Sequence, residues 1–123
     1  MGGQFIERVK HIIEDNLGSE DFSVSILARE VGLSRSMLHR KLVRHTGKSA
    51  SELITEIRLS RARDLIENDV ATISEIAYSV GFASPSYFNK AFKKRYNTSP
   101  GEVRKNRPAN LTNSGSARKQ AFQ

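Results

Sequence analysis

Apolar residues recur along this chain at helical spacing, and glycines punctuate the pattern. Phe5, Ile6, Val9, Ile12, Ile13 and Leu17 fall on one helical face, with Glu7, Arg8, Lys10, Glu14 and Asp15 between them. This predicts an amphipathic helix ending near Gly18. Ser23 is placed to cap a second helix through Val31, which Gly32 breaks. Ser34 caps a third helix that runs to about Thr46 and stops at Gly47. Ser49 then opens a long helix over 49–68, whose apolar stripe is Leu53, Ile54, Ile57, Ala62, Leu65 and Ile66. Thr72 caps a fifth helix to Val80, broken by Gly81. Ser84 caps a sixth to about Asn97, with Pro85 at the first helical position, where a missing N–H costs nothing. Ser99-Pro100 opens a short seventh helix to about Lys105. No stretch alternates with period two, so the expected fold class is all-α with seven helices. The segment 107–123 is polar and rich in Ser, Asn and Gly, and is expected to be a disordered tail.

The chain says nearly the same thing twice. Val24, Leu27, Ala28, Val31 and Gly32 match Ile73, Ile76, Ala77, Val80 and Gly81 at an offset of 49. After one inserted residue the offset becomes 50, and Ser34, Ser36, Leu38, Arg40 and Leu42 match Ser84, Ser86, Phe88, Lys90 and Phe92. Each copy reads as helix, glycine turn, helix. Two helices crossing steeply need a small residue at the contact, here Ala28 and Ala77, and a residue free to take positive φ at the turn, here Gly32 and Gly81. The second helix of each copy keeps an apolar inner face, Leu38 with Leu42 or Phe88 with Phe92. Its other face is then free to enter a DNA major groove. In the first copy that face carries Arg35, Ser36, His39, Arg40, Lys41 and Arg44; in the second it carries Ser86, Tyr87, Asn89, Lys90, Lys93, Lys94 and Arg95.

The organisation expected is a first helix-turn-helix subdomain over 1–48, a linker helix over 49–68 and a second subdomain over 69–106. A linker of that length is about 30 Å long at 1.5 Å per residue. Successive major grooves on one face of DNA lie about 34 Å apart. The spacing suits two reading heads on one duplex.

Charge sharpens this picture. The 123 residues carry a net charge of +7, unevenly placed: 69–123 hold 9 basic and 3 acidic side chains, 1–68 hold 11 and 10. Between Gly32 and Ser51 there are five Lys and Arg and no acid. A basic surface of this kind calls for a polyanionic partner.

Other classes find less support. There is no cysteine, which excludes disulfides and thiolate chemistry and suits a reducing cytoplasm. No apolar run nears the roughly 18 residues that span a bilayer. His11, His39 and His45 lack metal-ligand spacing. Gly47-Lys48-Ser49 resembles the end of a phosphate loop, but Leu42 stands where that motif needs glycine. No enzyme, cofactor or membrane contact is therefore expected. The rival reading is a basic helical protein–protein interaction module without sequence-specific DNA reading.

The run "RLSRARDLIENDVATISEIAYSVGFASPSYFNKAFKKRYNTSPGEVRK" resembles the C-terminal half of the AraC/XylS family of bacterial transcription regulators, most specifically from Ile73 to Arg104. The likeness covers about residues 5–106. It implies two helix-turn-helix units joined by a long helix, promoter binding, and contact with RNA polymerase. The wording is closest to output domains of hybrid two-component regulators. On this resemblance the base-reading positions are Arg35, Ser36, His39 and Arg40 in the first copy and Ser86, Asn89 and Lys90 in the second. Lys41, Arg44, Ser84, Tyr87, Lys93, Lys94 and Arg95 are expected at phosphates. Arg61 and Arg63 are as well placed to pair with local acids such as Asp64 and Glu67. Asn97 stands where the family usually has glycine, and Val103 where an aromatic is common. The isolated domain is expected to be monomeric, and the sequence leaves open whether a parent protein dimerises.

Overall fold

The computed structural model describes residues 2–19 and 21–106, and the expected tail over 107–123 lies outside them. Among the described residues the chain is all helical. The elements are α1 (Gly2–Asp15), α2 (Val24–Glu30), α3 (Arg35–Thr46), α4 (Ala50–Glu67), α5 (Ile73–Ser79), α6 (Pro85–Tyr96) and α7 (Pro100–Lys105).

Local chemistry sets nearly every boundary. Ser23, Ser34, Thr72, Ser84 and Ser99 are N-caps, and each side-chain oxygen accepts the backbone N–H three residues on, at 3.1–3.3 Å. Thr72 with Glu75 forms a reciprocal capping box. Ser49 with Glu52 makes the same pair of bonds at the head of α4, at 3.0 and 3.2 Å.

The two glycine turns are closed alike. Leu33 N–H donates to the Ala28 carbonyl at 2.9 Å, and Phe82 N–H to the Ala77 carbonyl at 3.0 Å. These bonds step back five residues, as in a Schellman closure, and put the intervening glycine in the left-handed region. Gly32 has φ 74° and Gly81 φ 102°.

The described chain divides after Arg58 into two compact units. The first unit buries Val9 and Ile13 of α1, Leu27 and Ala28 of α2, and Leu38 and Leu42 of α3 against Ala50, Leu53 and Ile54 of α4. The second buries Leu59, Ala62 and Ile66 of α4 with Ile76, Ala77, Val80, Phe82, Phe88, Phe92 and Val103. The long helix thus contributes its first half to one core and its second half to the other. Leu59, 1% exposed, falls outside the single stripe expected from the sequence. One stripe cannot serve two cores, and the buried register switches between Ile57 and Leu59.

The second core is built on rings. Phe82 meets Phe88 edge-on at 5.2 Å, Phe88 meets Phe92 at 5.6 Å, and Phe92 meets Tyr96 at 4.7 Å. Such pairs add about 0.5–1.5 kcal/mol each beyond area burial. Asp69, with φ 53°, closes α4 as glycine would. Its side chain is buried and pairs with Arg104 Nε at 3.3 Å, while Arg104 Nη2 also donates to the Ala71 carbonyl. This fastens α7 to the turn between α4 and α5.

Among the described residues two non-glycine residues hold positive φ, Asp69 and Asn97, the latter at 58° as C-cap of α6. Gly47 occupies the equivalent place after α3, at 74°. Asn97→Gly is therefore expected to raise stability by a few tenths to about 1 kcal/mol, and Asn97→Val to lower it by about 1–2 kcal/mol. Urea midpoints measure both. A loss on Asn97→Gly would show that the amide side chain itself anchors the cap.

Candidate nucleic-acid interface

In the first unit, burial of Leu38 and Leu42 turns the opposite face of α3 to solvent. Arg35, Ser36, His39, Arg40, Lys41 and Arg44 are all exposed. Arg35, Ser36, His39 and Arg40 line one wall of an open groove of about 830 Å³, and Ser49, Ala50 and Ser51 at the head of α4 line the other, with Val24. The four candidate base readers of this copy therefore share one concave surface.

The cations differ in how they are held. Lys48 pairs with Glu56 and is removed from the positive surface. Lys41 Nζ sits over the Phe5 ring at 4.2 Å, and that ring also faces His45 at 6.5 Å. Arg40 Nη2 donates to Met37 Sδ at 3.6 Å. Sequence reasoning missed Phe5 and Met37 as neighbours of this face. Phe5 carries only the signal of the apolar face of α1, and no periodicity distinguishes an exposed methionine that steers an arginine. Glu52 is the first acid after α3. The N–H of Ser49 and then its hydroxyl hold that carboxyl below its ordinary range, against the opposing effect of desolvation. Lys48 and His39 contribute further.

In the second unit α6 repeats the arrangement. Phe88 and Phe92 are fully buried, and Ser86, Tyr87, Asn89, Lys90, Lys93, Lys94 and Arg95 are exposed. Ser84 is half-buried and its Oγ caps the helix. The Tyr87 ring rests 5.7 Å from Phe82. Arg95 lies 5.8 Å from the Tyr96 ring. Arg63 is engaged locally, pairing with Glu67 at 3.4 Å and covering Tyr96 at 4.6 Å, whereas Arg61 is exposed. Among the described residues no set of three His, Asp or Glu is grouped to hold a metal ion, and no helix is long and apolar enough to cross a membrane.

Such surfaces can do three things chemically. Arg and Lys can donate to guanine edges, Asn can pair with adenine, and the outer lysines can neutralise phosphates.

The sequence model of a helix-turn-helix domain family matches residues 27–106. Over 99 residues the chain is 41% identical to "Histidine kinase P4" of Formosa agariphila, covering 80% of the chain and 7% of that protein. Over 101 residues it is 38% identical to "Msm operon regulatory protein" of Streptococcus mutans, covering 82% of the chain and 36% of that protein. The chain thus spans a small part of these relatives. Among solved structures it resembles a transcriptional regulator of Chromobacterium violaceum described as an AraC-type DNA-binding domain-containing protein. That likeness has a TM-score of 0.77 and 31% identity, covering 82% of this chain and 89% of the other. It also resembles the DNA-binding domain of AdpA in complex with a target DNA, with a TM-score of 0.74 and 26% identity, covering 80% and 88%.

The two glutamates in capping boxes give a pH signature. The Glu75 carboxyl is also held below the ordinary value of 4.5, first by the backbone N–H of Thr72 and then by its hydroxyl. A depressed folded value means that the charged form is favoured in the fold. The stabilisation is fully present above 4.5 and is lost as pH falls through the lowered folded values. Glutamine keeps the cap bond without the charge. Wild type is expected to lose its advantage over Glu52→Gln and Glu75→Gln as urea midpoints are followed downward from neutral pH. An advantage that persists unchanged below the folded values would refute the assignment.

Proposed function

Because the chain belongs to the AraC-type family of helix-turn-helix transcription regulators, we propose that it is the sequence-specific double-stranded DNA-binding part of a bacterial regulator, with α3 and α6 each entering a major groove. The observation that carries this reading is the repetition itself. The same glycine closure, serine cap and buried i, i+4 pair recur, and both times they leave a basic, acid-free helix face exposed. A packing duplication alone would not keep both outer faces positive.

Within this reading Arg35, Ser36, His39 and Arg40 read the first half-site, and Ser86, Asn89 and Lys90 the second. Arg44, Lys93, Lys94 and Arg95 meet phosphates, with Ser84 and Tyr87 supporting register. Lys41 leaves the Phe5 ring to join them. The domain acts in the cytoplasm beside RNA polymerase, is monomeric when isolated, and has no catalysis or cofactor of its own. Likeness to a histidine kinase supports a place as the output part of a two-component regulator.

Selection of bound duplexes from a random library at physiological salt tests the reading. The expected product is one bipartite motif with halves about 10 base pairs apart. On that operator Arg40→Ala and Lys90→Ala each lose roughly 1–3 kcal/mol and relax one base position, whereas Lys94→Ala weakens all sequences alike and lowers the salt slope by about one. Binding without a motif, vanishing as salt rises, would leave a basic helical domain whose partner is a protein.

A further inference from the structure

Among the described residues four large apolar side chains stand roughly half exposed: Met37 at 49%, Val43 at 43%, Tyr78 at 56% and Tyr87 at 55%. Single exposed apolar residues need no special cause. Two of these four, however, occupy the same position in the two repeats, since Met37 and Tyr87 are 50 residues apart. Each donates its backbone N–H to the capping serine, at 3.1 and 3.2 Å, so each stands on the first turn of its outward helix. Neither belongs to a core. In each copy the residue before it and the residue three after it are candidate base readers, Ser36 and Arg40 or Ser86 and Lys90.

We propose that Met37 determines specificity in the first half-site by contacting the 5-methyl group of a thymine beside the base read by Arg40. The inference rests on the DNA-binding reading and adds to it a base and a chemical group. The first turn of an outward helix of this kind is the part that reaches base edges. The thymine methyl is the apolar group that the base edges offer in that groove. A thioether has no donor and is only a weak acceptor, so Met37 cannot bind a phosphate as the Tyr87 hydroxyl can. It is flexible and polarizable, and suited to a small methyl. Its sulfur also accepts from Arg40 Nη2 at 3.6 Å, so the side chain that meets the methyl also orients the neighbouring guanidinium.

The test uses the selected operator. Each thymine of the half-site affected by Arg40→Ala is replaced in turn by deoxyuridine, which removes only the methyl. For the wild-type chain one replacement is expected to weaken binding roughly three- to fivefold, the effect of about one methyl. Met37→Ala should bind the thymine and deoxyuridine duplexes equally well. Met37→Leu should keep the thymine preference while discrimination at the base read by Arg40 relaxes. Wild-type indifference to every replacement, a half-site without thymine, or a methyl effect unchanged in Met37→Ala would each overturn the inference and leave specific DNA binding standing. A wild-type chain that selects no motif would overturn both.

Discussion

Everything functional in this molecule depends on one constraint, the burial of an i, i+4 apolar pair on each outward helix. Leu38 and Leu42 are fully buried in α3, as are Phe88 and Phe92 in α6. Fully burying one such side chain is worth about 1.5–3 kcal/mol. That fixes each helix in rotation about its own axis. Once the rotation is fixed, the residues at the remaining positions have no choice but to face solvent. The polar side chains of α3 and α6 are exposed as a consequence of where their apolar partners are held. A glycine at positive φ then sets where each helix starts. Ala28 and Ala77 let the preceding helix come close, and the five-residue closing bond repeats in both copies.

The long helix shows how two cores share one element. Helical periodicity keeps a single face apolar only if one core lies along the whole length. In α4 the buried residues change register after Ile57, and the division of the described chain into units falls next to that change, after Arg58. Leu59 could not be assigned from a single stripe for this reason. The helix needs no separate spacer segment, because each half is anchored by its own core.

Much of the architecture could be read from short-range chemistry. The capping serines and threonine, the glycine breaks and Pro85 act within four residues, and α2 to α7 begin or end within a residue or two of where those signals place them, whereas α1 stops at Asp15, short of Gly18. What could not be read joins distant parts of the chain. The Asp69–Arg104 pair joins the turn after α4 to the last helix, and no local pattern marks Asp69 as the partner that holds α7. Phe5 under Lys41 links the first helix to the third. For the candidate site, exposure of the outward residues follows from the inner pair and was legible. Which exposed cation is already engaged depends on tertiary neighbours such as Glu56 beside Lys48, and was not.

Those engagements make the two repeats unequal, and the inequality bears on what each contributes. In α3 the Arg40 guanidinium beside the groove is held by Met37, so its side chain is partly ordered before any partner arrives. Ordering a long cationic side chain costs about 1.5–2 kcal/mol, so a reader held in advance loses less on binding and discriminates by position. In α6 the buried rings stiffen the helix from behind, while Lys93 and Lys94 stand exposed on its surface. Such lysines act as compact point charges that serve any phosphate. On the proposed reading, α3 supplies proportionally more of the sequence discrimination and α6 more of the salt-sensitive affinity. A duplicated motif thereby gains two functions from one backbone plan, because the plan fixes only which positions face out and leaves their chemistry free to differ.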